Sequence, residues 1–251
     1  MIELKTIKKN FIDNKIFLFN YNHNSFFEGL YRLVAIIISP AFIKLNPNFI
    51  SFISLFLGFL ALILSFFLTL KIKYLIIFFL ISFILDFVDG IVARYNSIST
   101  FHGRFIDGLF DICVVGFLHI VLLVNLLKNY NLKVDDFYLI FFLITIFIMP
   151  IQHLILDRFS SLARWCNEIS KSKNFKPYFR GNHLNKITML LFDIQHFFLF
   201  YILIFDNFYF IYVVYLYFFI SFFASLFSIL LYYKLSKKNF SLISNQKDNY
   251  E

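Results

Sequence analysis

Four aspartates in the middle of the chain form the pattern with the clearest chemical meaning. Asp86 and Asp89 fall in one apolar segment, and Asp107 and Asp111 fall in the next. A helix advances ~100 degrees per residue, so the spacing within each pair places both members on one narrow face of their helix. Because the connection between the segments is short, the two faces can meet at one end of a helical hairpin. The spacing therefore predicts a cluster of four carboxylates.

Such a cluster within membrane-length apolar segments needs a counter-charge. One carboxylate at membrane depth costs ~2.5–3.5 kcal/mol on insertion scales, and four close together also repel one another. Arg94 and Arg104 are too few to balance them. Mg²⁺ and Mn²⁺ bind carboxylate oxygens and keep open positions for phosphate, so we favour a divalent metal site over structural ion pairing or an ion pathway. Small residues on the same two faces leave room for a ligand: Gly90, Ala93 and Gly103.

The elements that must position these residues are membrane helices. The chain is 60% hydrophobic and 15% charged, which is more apolar than an ordinary soluble domain. We predict an all-α integral membrane protein with six transmembrane helices and an N-terminal interfacial helix within residues 25–46. A single membrane domain spans residues 1–240, and residues 241–251 form a polar, disordered tail. The six spans lie near residues 48–70, 74–94, 104–127, 136–156, 187–205 and 208–233.

The basic residues predict the orientation of the chain. The formal net charge is +8, and the excess of Lys and Arg falls in every second loop. This alternation places both termini and the hairpin between the second and third spans on the cytoplasmic side of the inner membrane. An anionic membrane surface is therefore the expected partner, and nucleic acid is not. The two cysteines, Cys113 and Cys166, are expected to be unpaired thiols.

The residues from Asp86 to Asp111 match the complete pattern D-x2-D-G-x2-A-R-x8-G-x3-D-x3-D. In this motif and in its six-helix layout the chain resembles the CDP-alcohol phosphotransferases. A weaker match is Asn46-Pro47-Asn48 followed by Ser51, which is similar to the segment that opens the first membrane helix in many members.

The resemblance implies roles for individual residues. Asp86, Asp89 and Asp107 would bind metal, Asp111 would be the general base and also touch a second metal, and the cofactor would be two ions of Mg²⁺ or Mn²⁺. It also implies a homodimer. The residues that it places around the CDP group are Asn48, Gly90, Ala93, Arg94 and Gly103.

The implied reaction moves a phosphatidyl or other phospho-alcohol group from a CDP-linked donor to a small hydroxyl-bearing acceptor and releases CMP, in phospholipid biosynthesis. CDP-diacylglycerol is the expected donor. The stretch around Asp107 departs at Gly108 and Ile112 from the phosphatidylglycerophosphate synthase version, so the acceptor stays open. Two alternatives are transfer from a soluble CDP-alcohol to a lipid hydroxyl, and a small cation transporter, which would need its acidic site near the midplane.

Other polar residues receive weaker predictions. The basic segment 157–187 is expected to bind anionic lipid, and Arg158 and Arg164 are its candidates for contacting an acceptor that carries phosphate. No role is assigned to Asp193. The remaining intramembrane polar residues are expected to hydrogen-bond neighbouring helices: His119, Gln152, His153, Gln195 and His196.

Overall fold

The computed structural model describes residues 25–68, 70–98, 100–129, 136–170, 183–205 and 210–247. Within these ranges the chain forms helices and no strand, which confirms the all-α prediction. A short 3-10 turn, Ser39–Ala41, follows the first helix. The α-helices are α1 (Phe26–Ile38), α2 (Pro47–Phe67), α3 (Ile72–Tyr95), α4 (Phe101–Asn129), α5 (Asp136–Ser170), α6 (His183–Ile204) and α7 (Phe210–Lys247).

Five of these helices, α2, α3, α4, α5 and α7, are long and apolar enough to cross a membrane. The remaining predicted span, near residues 187–205, corresponds to α6, whose apolar part, Leu190–Ile204, is shorter. The chain is thus an integral membrane protein, and the six predicted spans agree with the helices observed.

Two helices extend past the predicted spans. α5 continues from the predicted end near residue 156 to Ser170, and α7 continues from residue 233 to Lys247. Neither extension contains Gly or Pro, so nothing in the backbone ends the helix where the sequence turns polar. Residues 157–170 of the predicted basic loop are therefore helical, as are residues 241–247 of the predicted tail, whereas residues 171–182 and 248–251 lie outside the described residues.

The N-terminal helix α1 is too short to cross the membrane, because 13 residues rise only ~20 Å. It ends where Pro40 enters the 3-10 turn. Its first backbone N–H groups are all bonded: Oγ of Ser25 accepts from Glu28, and the carboxylate of Asp193 on α6 accepts from Phe26 and Phe27 at 2.9 Å each. The amphipathic helix is thereby fixed to the helical bundle.

Helix α2 packs against α3 and α4 through small residues. A Cβ atom on Gly58 would lie 3.4 Å from the side chain of Val114 and 3.6 Å from that of Phe79, so side chains of α4 and α3 pack directly against this glycine. Ser54 and Ser82 exchange hydrogen bonds to each other's carbonyl oxygens, both at 3.0 Å. The opposite face of α2 exposes large apolar side chains that suit the hydrocarbon of a bilayer: Phe49, Phe52, Phe56 and Phe59. This packing sets the position of α2 beside the α3–α4 hairpin.

Candidate active site

The hairpin between α3 and α4 brings the two helix ends together. Ser97 adopts a left-handed conformation with φ 55°, and the N–H of Ile98 bonds back to the carbonyl of Ala93 at 3.0 Å, which closes the end of α3. Thr100 then begins α4, since its Oγ1 accepts a hydrogen bond of 2.9 Å from the N–H of Gly103. The short turn between these caps places the aspartates of α3 beside those of α4.

Three of the four motif aspartates converge on a common point. One carboxylate oxygen from each of Asp86, Asp89 and Asp107 lies within 4.8 Å of the others. Asp111, one helical turn beyond Asp107, lies close enough to Asp86 for the two carboxyl groups to interact. The structure therefore brings all four aspartates together at the hairpin end of the two helices, as their spacing predicts.

The surroundings of these carboxylates fit a divalent cation. Oδ1 of Asp107 is buried and has no hydrogen-bond partner, and Asp89 is only 4% exposed. The guanidinium group of Arg94 lies near Asp89 and Asp107, but one positive charge cannot offset four carboxylates. A donor set made only of carboxylate oxygens is the kind preferred by hard cations such as Mg²⁺ and Mn²⁺. The residues present therefore suit the metal that the motif predicts.

Ser51 adds a contact that the sequence did not reveal. Its Oγ lies 2.5 Å from Oδ2 of Asp89 and 3.2 Å from the carbonyl of Pro47, one turn earlier on α2. The sequence showed Ser51 only as part of a weak match to the start of the first membrane helix. Its position relative to Asp89 depends on how α2 packs against α3, which no local pattern encodes.

The small residues of the motif leave space for specific polar groups. A Cβ on Gly90 would lie 3.2 Å from Nη2 of Arg94, so the guanidinium rests directly on this glycine. A Cβ on Gly103 would lie 3.2 Å from Oδ1 of Asn48. Two pairs of the predicted CDP-binding residues are thus in contact, although they come from three helices. Ala93 is half-buried near the end of α3.

A cavity of about 340 Å³ extends from the aspartate cluster into the helical bundle. Asp86 and Asp111 form part of its wall, whereas Asp89 and Asp107 lie on the side towards Ser51 and Arg94. Helices α1, α3, α4, α5, α6 and α7 all contribute to it. Its polar lining includes Tyr31, His119, Gln152, His153, Gln195 and His196. The volume falls in the range of pockets that bind small molecules.

The intramembrane polar residues differ in how they are bonded. Gln152 accepts a hydrogen bond of 2.8 Å from Ser225, and Gln195 donates one of 3.1 Å to Ser221, so both glutamines bond α7 as predicted. The prediction was wrong for His119, because its Nε2 has no hydrogen-bond partner and its Nδ1 contacts a carbonyl oxygen one turn back on its own helix, at 2.8 Å. Nδ1 of His196 makes the same kind of contact within its helix, at 2.9 Å. This local contact leaves Nε2 of each ring for other partners.

The two arginines proposed to contact the acceptor lie on α5 rather than in a loop. Arg158 is exposed, and it does not line the cavity. The side chain of Arg164 lies outside the described part of the structure. Arg158 therefore does not contribute to the wall of the cavity, and the role predicted for Arg164 stays a prediction.

Comparison with known proteins gives one family. The sequence model of the family described as CDP-alcohol phosphatidyltransferase matches residues 44–231, which is more than half of the chain and includes the whole hairpin. No curated protein matches the chain. The chain therefore belongs to the CDP-alcohol phosphatidyltransferase family, a family of membrane transferases that move a phospho-alcohol group from a CDP-alcohol to a hydroxyl acceptor.

Proposed function

We propose that this member of the family transfers a phosphatidyl group from CDP-diacylglycerol to a small hydroxyl-bearing acceptor and releases CMP, as a step of phospholipid biosynthesis. The observation that carries the proposal is the convergence of Asp86, Asp89 and Asp107 within 4.8 Å, with Asp111 beside them on the wall of a cavity. Metal ligands and a carboxylate able to accept a proton then border the same space.

The carboxylates of Asp86, Asp89 and Asp107 would hold the divalent ion, and Asp111 would share a second one. When bound, such ions offset the negative charge of the donor's diphosphate and of the departing CMP. Ser51 orients Asp89 for this role through its hydrogen bond to Oδ2. Either Mg²⁺ or Mn²⁺ suits the oxygen-only donor set.

Asp111 is the proposed general base. Its carboxyl group lies on the cavity wall next to Asp86, where an acceptor hydroxyl can reach it. It accepts the proton of that hydroxyl while the hydroxyl oxygen attacks the phosphorus atom of the phosphatidyl group. The bond from this phosphorus to the CMP oxygen breaks, CMP departs with the electron pair, and the phospholipid product is formed.

The donor's CDP group would bind at the hairpin end of the cluster. The guanidinium of Arg94 complements a phosphate there and is accommodated by Gly90. Asn48 and Gly103, which are in contact with each other, would form the neighbouring wall, and the small side chain of Ala93 would leave room for the ligand. In this position the acyl chains of the donor can remain in the bilayer.

The membrane orientation proposed from the sequence agrees with this chemistry. The hairpin carries Arg94 and Arg104, whereas the opposite ends of these helices carry Lys71 and Lys128. The excess of basic residues in the loops on the hairpin side favours a cytoplasmic position for the site and both termini, in the inner membrane. We also propose a homodimer, as is common for proteins that resemble this one.

The test is a transfer assay with purified protein, CDP-diacylglycerol and Mn²⁺ or Mg²⁺. We expect CMP and a new phospholipid in equal amounts, with the lipid identified by mass spectrometry and the activity abolished by EDTA. CMP release only from a soluble CDP-alcohol with diacylglycerol would reverse the assignment of donor and acceptor. Cation flux without CMP release would favour a transporter.

A further inference from the structure

The cavity behind Asp86 and Asp111 has an unusual charge pattern. Among the described residues that line it there is no Lys or Arg, and its charged residues are all acidic: Glu28, Asp86 and Asp111. Glu28 is paired with Arg32, which does not line the cavity. The described wall therefore offers no cationic side chain to bind a phosphate group of the acceptor.

Two buried polar atoms belonging to residues of this wall have no partner in the protein. They are Nε2 of His119 and the hydroxyl of Tyr31. His119 is fully buried, and Tyr31 is 3% exposed. Nearly all buried polar groups in proteins are hydrogen-bonded, so two unsatisfied groups from one cavity wall point to a ligand that bonds them.

The chemistry of these two groups indicates what the ligand must offer. Nδ1 of His119 bonds the carbonyl of Val115, which makes it the protonated nitrogen and leaves Nε2 as an acceptor. The ring packs against both Tyr217 and Phe218 of α7, with ring centroids 5.3 and 5.7 Å away. The hydroxyl of Tyr31 can donate as well as accept. A ligand hydroxyl satisfies both groups, because it is itself both a donor and an acceptor.

The cavity also reaches well past the proposed base. His119 lies eight residues beyond Asp111 on α4, which corresponds to ~12 Å along the helix axis. A ligand with a hydroxyl at Asp111 therefore has polar partners further into the cavity. Gln152, Gln195 and His196 also line the cavity.

We propose that this cavity binds the acceptor, and that the acceptor is an uncharged polyol without a phosphate group. The inference rests on the proposed function, and it specifies the substrate class. Of the two arginines that the sequence offered to a phosphate-bearing acceptor, the one whose side chain the structure describes, Arg158, is exposed and does not line the cavity, which favours an acceptor without phosphate. One hydroxyl lies at Asp111 and receives the phosphatidyl group as CMP leaves, while others bond His119 and Tyr31.

The first experiment compares matched acceptors in the transfer assay with CDP-diacylglycerol and Mn²⁺. Glycerol, ribitol and myo-inositol are each tested beside their monophosphates. We expect the enzyme to use at least one free polyol with a KM well below that of its phosphate. Preference for a phosphorylated acceptor overturns the inference, and so does turnover only with diacylglycerol and a soluble CDP-alcohol.

The second experiment uses variants that remove one polar atom from the wall. Tyr31→Phe keeps the ring and removes the unpaired hydroxyl, so it should fold at least as well as the parent. His119→Leu removes the Nε2 acceptor. We expect each to raise the polyol KM about tenfold, the effect of one lost hydrogen bond, without changing the KM of the donor. Thr145→Val is the matched control, since Thr145 is buried on α5, bonds its own helix at Phe141, and does not line the cavity.

Thermal unfolding separates this inference from the proposed function. The preferred polyol should raise the melting temperature of the parent protein and of Thr145→Val, and should do so less for Tyr31→Phe and His119→Leu. If no acceptor yields CMP but the polyol stabilises the protein in this pattern, the proposed function fails and the polyol site stands. If CMP is released but the variants and the control respond alike to every polyol, the site is wrong and the transferase stands.

Discussion

Ser51 on α2 donates a hydrogen bond of 2.5 Å to Oδ2 of Asp89 on α3. Through this contact a third helix helps to position the aspartate cluster, although α2 contributes none of its carboxylates. Both residues are buried, so solvent does not compete for the bond. One oxygen of the carboxylate held in this way belongs to the group that it forms with Asp86 and Asp107.

Removal of the Ser51 hydroxyl should weaken metal binding. Partners that orient metal ligands typically contribute 10–100-fold to metal affinity or activity, so Ser51→Ala should raise the Mn²⁺ concentration needed for half-maximal activity by about tenfold or more. Ser51→Thr keeps a hydroxyl and should stay close to the parent. Ser54→Ala is the control, because Ser54 bonds Ser82 and no carboxylate. An unchanged Mn²⁺ dependence in Ser51→Ala would contradict the role assigned to this contact.

The two aspartates of α4 should fail in different ways. Asp111→Asn removes the base, so turnover should fall by about 10²–10⁴-fold while the donor still binds. Asp107→Asn removes a metal ligand, so activity and Mn²⁺ dependence should disappear together. Equilibrium binding of radiolabelled CDP-diacylglycerol separates these outcomes. Loss of donor binding in Asp111→Asn would argue that this residue holds the donor and is not the base.

A methyl group on Gly103 should disturb the donor pocket. The added Cβ would lie 3.2 Å from both Oδ1 of Asn48 and Oγ1 of Thr100, so Asn48 must shift. We expect Gly103→Ala to raise the KM for the CDP donor several-fold. Gly116→Ala, on the same helix, is the control, because its Cβ would meet only Pro150 at an ordinary 3.9 Å. Equal donor KM values for the two variants would place the CDP group elsewhere.

Loss of the Asp193 carboxylate should loosen α1. This side chain accepts hydrogen bonds from the N–H groups of Phe26 and Phe27, and capping contacts of this kind contribute about 0.5–2 kcal/mol. Asp193→Ala should lower the melting temperature and raise the acceptor KM, because Tyr31 on α1 lines the cavity. Limited proteolysis should cut the variant earlier within α1. A variant with parental stability and acceptor KM would show that α1 is held by its apolar contacts alone.

The sequence predicts the aspartate cluster well because the positions that matter are close along the chain. Helical spacing places each aspartate pair on one face, and the short turn between α3 and α4 restricts where the faces can meet. The contact of Ser51 with Asp89 could not be predicted, since it depends on the packing of small residues between α2 and α3. The contact of Asp193 with α1 spans 167 residues of sequence and has no local signature.

The helix bounds show a related limit. Hydropathy predicts where a helix leaves the membrane, not where it ends, so the sequence predicts a loop and a tail where α5 and α7 continue as polar helices.

The hydrogen bond of His119 shows a second limit of prediction from sequence. The type of His119 predicts a hydrogen bond, but the choice between a neighbouring helix and its own backbone depends on the rotamer that Tyr217 and Phe218 permit.

The most direct test of the central claim is a measurement of Mn²⁺ binding to the purified protein by electron paramagnetic resonance. The account predicts that the parent binds two Mn²⁺ ions per chain with magnetic coupling, as expected for ions about 3.5–4 Å apart. It further predicts that Asp86→Asn, on α3, and Asp107→Asn, on α4, each abolish the coupled signal. Parental Mn²⁺ binding by both variants would show that the carboxylates of the two helices do not share an ion, and would contradict the account.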